Sequence, residues 1–350
     1  MPATNLALEL TSLVGRDHEI EELQRLVRGG ARFVTLTGPG GSGKTRLARE
    51  AARSLAADFP DGTFLVSLAP IRDPDYIAHV IAQTLEVRET GSDPVLQRLK
   101  NFLEKRRLLL LLDNFEQILD AGPLVANLLS SCPQLQVLVT SRSALRVSGE
   151  REFPVPPLAI PDPHYLPADE DLLRYASVGL FIDRARAANP NMQADSGALR
   201  DIATICARLD GLPLAIELAA ARTKLLTPAA MLARFEAGLP ILTGGARDLP
   251  ERQRTLHAAI AWSYDLLDPV EQALFRRLSV FSGGCNLDSA EAVCTEPGPS
   301  GEPVVDVLET IASLLDKNLV TQAKGIGPQP RFGMLETIRE FGLEALGACG

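Results

Sequence analysis

A parallel α/β domain, then a helical domain, then a small helical domain closed by a hairpin of the winged-helix kind is the architecture this sequence predicts. Three observations carry that expectation. Short apolar runs alternate with helix-like segments over the first 150 residues, a glycine-rich loop joins the first run to a helix, and a proline cluster at 154–167 begins purely helical patterning. The chain has 350 residues, 35 basic and 44 acidic, and 46% of them are hydrophobic. Such a composition suits a globular protein and excludes disordered and collagen-like chains. At roughly 100–200 residues per domain, the length predicts two or three domains.

The elements follow in order. Residues 33–37 read as a strand, 44–57 as a helix, 63–68 as a strand, and 74–85 and 94–105 as helices. Leu108 to Leu112 is five consecutive leucines between Arg107 and Asp113, too short to span a membrane and typical of a strand buried on both faces. Residues 119–131 read as a helix and 136–140 as a further strand. Near-continuous apolar strands alternating with helices predict a parallel sheet covered on both sides. Six prolines in residues 154–167 can sustain neither a helix nor a central strand. Helical spacing resumes at 171–188, 196–209, 212–226 and 228–236, and residues 238–250, with Gly244, Gly245 and Pro250, form a weaker boundary. The last hundred residues read as short helices ending in strand-like pieces at 318–322 and 331–335. The expected domains are therefore 1–155, 156–250 and 251–350.

Other features narrow the function. No apolar run reaches 18 residues, and residues 1–9 lack the basic flank and apolar core of a leader, so no membrane association is expected. Five cysteines form no C-x-x-C pair and suit reduced thiols, so a cytoplasmic location is expected. The acidic balance opposes a general nucleic-acid coat. Four scattered histidines offer no metal-ligand spacing.

Gly38-Pro39-Gly40-Gly41-Ser42-Gly43-Lys44-Thr45 matches G-x-x-x-x-G-K-[ST] between a strand and a helix. Backbone amides of such a loop wrap phosphate oxygens at a helix N-terminus, Lys44 reaches the β- and γ-phosphates, and the Thr45 hydroxyl holds Mg²⁺. Asp113, where the leucine strand emerges, is placed as the second Mg²⁺ partner, since a buried carboxylate without a cation is costly. Asn114 follows it; an amide can orient water but cannot take its proton, so hydrolysis is expected to be weak unless Glu116 substitutes. Arg142 follows the strand 136–140, at the carboxyl edge where parallel sheets meet ligands, and is placed to sense a γ-phosphate.

These motifs, with Leu13-Val14-Gly15-Arg16 upstream and Gly211-Leu212-Pro213-Leu214 downstream, resemble the STAND signalling ATPases with an NB-ARC core, in particular the bacterial regulators of the LuxR and AfsR kinds. Supporting segments are Leu111-Leu112-Asp113-Asn114-Phe115-Glu116, Trp262-Ser263-Tyr264-Asp265-Leu266-Leu267 and Met334-Leu335-Glu336-Thr337-Ile338-Arg339-Glu340, so the resemblance covers about residues 11–345. It implies an AAA+/NB-ARC-like P-loop NTPase sheet followed by helical and winged-helix domains. It also implies a switch driven by ATP, ADP and Mg²⁺, with slow hydrolysis, self-association in the ATP state, and an output in transcription control. Val14, Gly15 and Arg16 would lie against the adenine, Arg46 would join Lys44 and Thr45 at the nucleotide, and Pro213 would pack on the base or ribose. Met334-Leu335-Glu336 stands where the family usually has Met-His-Asp, and leucine cannot supply the histidine's hydrogen bond to ADP. Sensor or effector domains are expected beyond Gly350. The alternatives are a stand-alone P-loop ATPase or phosphotransferase, and a winged-helix DNA-binding module. Residues 251–350 hold eight basic and fourteen acidic residues, with Glu336, Glu340 and Glu344 in one stripe, so no direct DNA binding by this segment is expected.

Overall fold

The computed structural model describes residues 3–8, 11–87, 93–236, 255–294, 306–324 and 330–349. The weaker boundary at 238–250 lies outside them. The chain divides into two compact units, one of residues 1–38 and 43–155, the other of residues 39–42 and 156–350.

In the first unit β1 (Phe33–Thr37), β2 (Thr63–Ser67), β3 (Leu109–Asp113), β4 (Gln136–Thr140) and β5 (Arg151–Pro154) form one parallel sheet in the order β2-β3-β4-β1-β5. The leucine run shows why central strands lose their alternation. Leu109 and Leu111 pack with α1 (Asp17–Arg28) and α2 (Lys44–Ser54) on one face. Leu108, Leu110 and Leu112 pack with α3 (Ile77–Thr84), α4 (Val95–Leu103) and α5 (Gly122–Ser131) on the other. Side chains still alternate, but both faces are core.

Two elements of this unit are absent from the sequence reading. Helix α1 buries Leu23 and Val27 beneath a charged outer face. Strand β5 is polar, with only Phe153 buried, because it is an edge strand; Pro154 is tolerated there since an edge leaves one side of the backbone unpaired. It therefore extends the sheet into the start of the proline cluster.

The second unit opens with α6 (Asp169–Leu172), α7 (Ala176–Ala188), α8 (Ser196–Arg208), α9 (Pro213–Ala221) and α10 (Pro228–Glu236). The single helix expected at 171–188 is broken, because Tyr175 adopts extended backbone between α6 and α7. Then come α11 (Leu256–Asp265), α12 (Pro269–Leu278), α13 (Leu287–Cys294), α14 (Val307–Asp316), the antiparallel hairpin of β6 (Thr321–Lys324) and β7 (Pro330–Gly333), and α15 (Glu336–Ala348). Cys285 and Phe332 exchange backbone hydrogen bonds of 2.8 Å in both directions, an antiparallel bridge that ties the segment before α13 to β7. Short helices closed by such a hairpin make this a winged helix. Asp268 starts α12 with a capping box to Glu271, and buried Glu271 accepts hydrogen bonds from Ser313 and Lys317, tying α12 to the end of α14. No helix among the described residues is long and apolar enough to cross a membrane.

Candidate functional site

The glycine-rich loop leaves the carboxyl end of β1. Gly38, Gly41 and Gly43 have φ of 149°, 82° and 91°, backbone that side chains with a Cβ rarely adopt, and Gly43 caps α2 from the left-handed region. Lys44 donates through Nζ to the Gly38 carbonyl at 2.7 Å, folding back over the loop. Burial lowers its pKa to about 8; the carboxylates of Glu116 and Asp113 oppose that shift and Arg142 adds to it. A partly buried cation at the head of this loop is placed to take up an anion.

Thr45, on the first turn of α2, donates to Asp113 Oδ1 at 2.6 Å, and Thr140, at the end of β4, donates to the same oxygen at 2.6 Å. The Asn114 amide then donates to Thr140 Oγ1 at 3.0 Å. Three neighbouring elements are thus tied through one carboxylate that is only 6% exposed. A hydroxyl and a carboxylate already within hydrogen-bond distance are the hard oxygen donors that a Mg²⁺ shared with phosphates requires, so these residues fit that ion. Asn114 takes the left-handed conformation, φ 65°, which asparagine tolerates better than most residues. Buried Arg142 places Nε 3.6 Å from Glu116 Oε1. Lys44, Thr45, Asp113, Asn114 and Arg142 are accordingly gathered at one sheet edge, as parallel topology requires. Two further members gave weaker signals. The sequence offers Glu116 as the acid that could substitute for Asn114, and Thr140 only as a hydroxyl ending an apolar strand.

The residues expected around the base have contacts of their own. Arg46 donates to the Thr11 carbonyl and hydroxyl and to the Ser12 carbonyl at 2.5–2.7 Å, so it holds the segment leading into Leu13 and Val14. Val14 is half-buried, Gly15 is exposed with φ 67°, and Arg16 is buried in an ion pair with Glu19 at 2.5 Å.

Within the second unit, the Leu214 amide donates to the Gly41 carbonyl at 3.2 Å, and Leu214 Cβ lies 3.1 Å from where a Cβ on Gly41 would stand. Gly40 and Ser42 flank that contact. Pro213 is the first residue of α9, a position that suits its fixed φ and missing N–H. Just upstream, Asp210 (φ 53°) spans to the winged helix. Its Oδ1 accepts the Glu336 amide at 3.0 Å, and its Oδ2 accepts both the Thr337 amide and the Thr337 hydroxyl at 2.9 Å. Leu335, at the N-cap of α15, has no capping side chain, and Asp210 supplies the cap from 126 positions away. Burial pushes the Asp210 carboxyl pKa up, while these hydrogen bonds pull it down. Asp210 is adjacent to the Gly-Leu-Pro motif, yet no local sequence pattern signals its partners.

Residues 27–153 match a family model described as an AAA domain, and residues 267–347 match one described as a winged helix-turn-helix domain. The chain is thus an AAA-type P-loop protein with a carboxy-terminal winged helix-turn-helix domain. It belongs to the family of the Mycobacterium tuberculosis protein named "Uncharacterized protein Rv0894", to which it is 35% identical over 344 residues, 97% of this chain and 83% of that protein. It is also 38% identical over 320 residues to "Putative HTH-type transcriptional regulator Rv0890c" of the same organism. That match covers 91% of this chain and 34% of the relative, so the chain spans about a third of such regulators. The crystal structure of a STAND protein with a tetratricopeptide repeat sensor from Pyrococcus horikoshii aligns with a TM-score of 0.41 and 17% identity, covering 97% of this chain and 44% of that one. At that level it carries no argument about function. The winged helix-turn-helix match leaves the expectation that residues 251–350 bind no DNA without support, because a net acidic segment can still present a local basic face.

Proposed function

We propose that the chain is an ATP/ADP-dependent signal-transduction switch of the STAND type with an NB-ARC-like core, forming part of a cytoplasmic transcriptional regulator of the LuxR/AfsR kind. The observation that carries this reading is the Asp113 carboxylate accepting both the Thr45 and Thr140 hydroxyls at 2.6 Å beside the partly buried Lys44. Gly38 to Thr45 would cradle the phosphates, Thr45 and Asp113 would hold Mg²⁺, and Arg142 would respond to the γ-phosphate. Val14, Gly15, Arg16 and Pro213 would border the base, with Arg46 fixing the segment that leads to it. Bound Mg²⁺ would neutralise charge on the β- and γ-phosphates. The working parts are residues 1–155, 156–250 and 251–350, with self-association in the ATP state and sensor or effector partners elsewhere in the regulator. A second reading, DNA binding by the carboxy-terminal domain, is favoured by its family match over 267–347. Duplex affinity that falls steeply with salt would reveal it.

Turnover is expected to be slow, well below the roughly 10 s⁻¹ median of enzymes, because Asn114 stands where an acid would serve. Asp113→Ala should remove the Mg²⁺-dependent part of that turnover. Fast hydrolysis by the parent protein, or Mg²⁺ dependence surviving in Asp113→Ala, would overturn this reading of the site.

A further inference from the structure

Asn114 cannot accept a proton, yet a carboxylate is carried to the same edge by the turn that follows it. The left-handed conformation of Asn114 redirects the chain out of β3 into a short 3₁₀ turn, Phe115–Gln117. The two residues flanking Glu116 are pinned. Phe115 is fully buried in the core, and Gln117 donates through Nε2 to the Ala69 carbonyl at 2.7 Å beyond the end of β2. Glu116 is left between them with its side chain only 11% exposed and Oε1 3.6 Å from Arg142 Nε. It is also the carboxylate that the Lys44 ammonium feels most strongly, ahead of Asp113.

The neighbouring acids are committed elsewhere. Asp113 Oδ1 already accepts two hydroxyls at the metal position, and Glu152 on the edge strand accepts the Thr37 hydroxyl at 2.6 Å. A carboxylate facing both Lys44 and Arg142 stands beside the two cations that would grip a γ-phosphate, which is where an attacking water must be held. From these placements, and resting on the nucleotide-switch reading above, we propose that Glu116 is the proton acceptor for ATP hydrolysis, with Arg142 as the residue that positions it.

The water oxygen forms the new bond to the γ-phosphorus while the bond from phosphorus to the bridging oxygen breaks. The bonding pair leaves with ADP. The water's proton passes to a Glu116 carboxylate oxygen and then to bulk solvent, which restores the carboxylate. Turnover stays slow because the acceptor sits three positions past Asp113 and is held by Arg142. The simpler role for Glu116 is a counter-ion that neutralises Lys44 and Arg142 without touching the water. The two roles differ in what a neutral isostere does.

The experiment measures Kd for a fluorescent ATP analogue with Mg²⁺, and single-turnover hydrolysis of ATP, on parent, Glu116→Gln and Glu116→Asp chains. As proton acceptor, Glu116→Gln should bind the analogue as tightly as the parent or more so, yet hydrolyse ATP about 100-fold or more slowly. Glu116→Asp should recover part of the rate. Glu116→Gln that binds more tightly but hydrolyses at the parent rate would overturn the proposal and leave the counter-ion role. If Glu116→Gln fails to fold, the Glu116→Asp rate decides alone, and a rate equal to the parent's overturns the assignment. A parent chain that binds neither analogue nor ADP would instead refute the switch reading itself.

Discussion

Lys44→Ala is expected to abolish stabilisation by both ATP and ADP while leaving the free protein folded. At a ligand concentration of 100 Kd the parent should gain about 2.7 kcal/mol from either nucleotide, and the variant should gain almost none. The side chain reaches back to the Gly38 carbonyl, and its ammonium is disfavoured by burial, so its removal takes little from the folded state. The sign of the pH dependence follows. Lysine has an ordinary pKa near 10.5 that falls to about 8 in the fold, and phosphate prefers the protonated form. Nucleotide affinity in the parent should therefore be highest below pH 8 and decline as pH rises through that value, with proton uptake on binding. Thermal shifts at pH 7 and 9 check both statements. A Lys44→Ala chain that melts higher with ATP, as the parent does, would mean the loop does not hold phosphate through this residue.

Asp210→Ala should produce the largest loss of stability among single side-chain truncations outside the cores. It removes the acceptor of three hydrogen bonds and strands the Glu336 and Thr337 amides at the start of α15. A lost cap costs about 0.5–2 kcal/mol and bonds to a charged group about 1.5–3 kcal/mol. The combined expectation is about 2–4 kcal/mol, or about 5–15 °C in the melting of the second unit. Asp210→Asn, which keeps one acceptor oxygen, should lose less. A melt unchanged in Asp210→Ala would show that α15 is held by its apolar face alone, through Ile338 and Phe341.

The part of the site that the sequence displays is the part built from local chain. The loop from Gly38 to Thr45 and the carboxylate ending the leucine run are contiguous motifs at the ends of adjacent buried strands, so a period and a spacing suffice to place them. Asp210 is different in kind, since its meaning lies in amides 126 and 127 positions away. Strand β5 is hidden because an edge strand carries little apolar signal. The hairpin begins later than the expected 318–322 because Asn318 takes φ 55°, and the amides of Leu319 and Val320 turn back to the Leu314 carbonyl at 3.0 and 3.3 Å. Those residues end α14 before any strand can start. Arg46, which the motif places beside Lys44 and Thr45, also donates its guanidinium to Thr11 and Ser12, contacts that no motif displays.

The central claim is that nucleotide identity changes the arrangement of this chain, and a ligand can shift such an equilibrium only by its differential affinity for the two states. Within the second unit a short series of contacts runs from the Gly41 carbonyl through Leu214 to the Asp210 cap on α15. Hydrogen exchange of residues 1–350, saturated in turn with Mg²⁺·ADP and with a slowly hydrolysed Mg²⁺·ATP analogue, reads that series directly. The account predicts that peptides covering 39–46, 208–216 and 334–341 differ together in protection between the two nucleotides, with the amides of Glu336 and Thr337 protected in only one of them. Equal protection of 334–341 in both saturated states would contradict it.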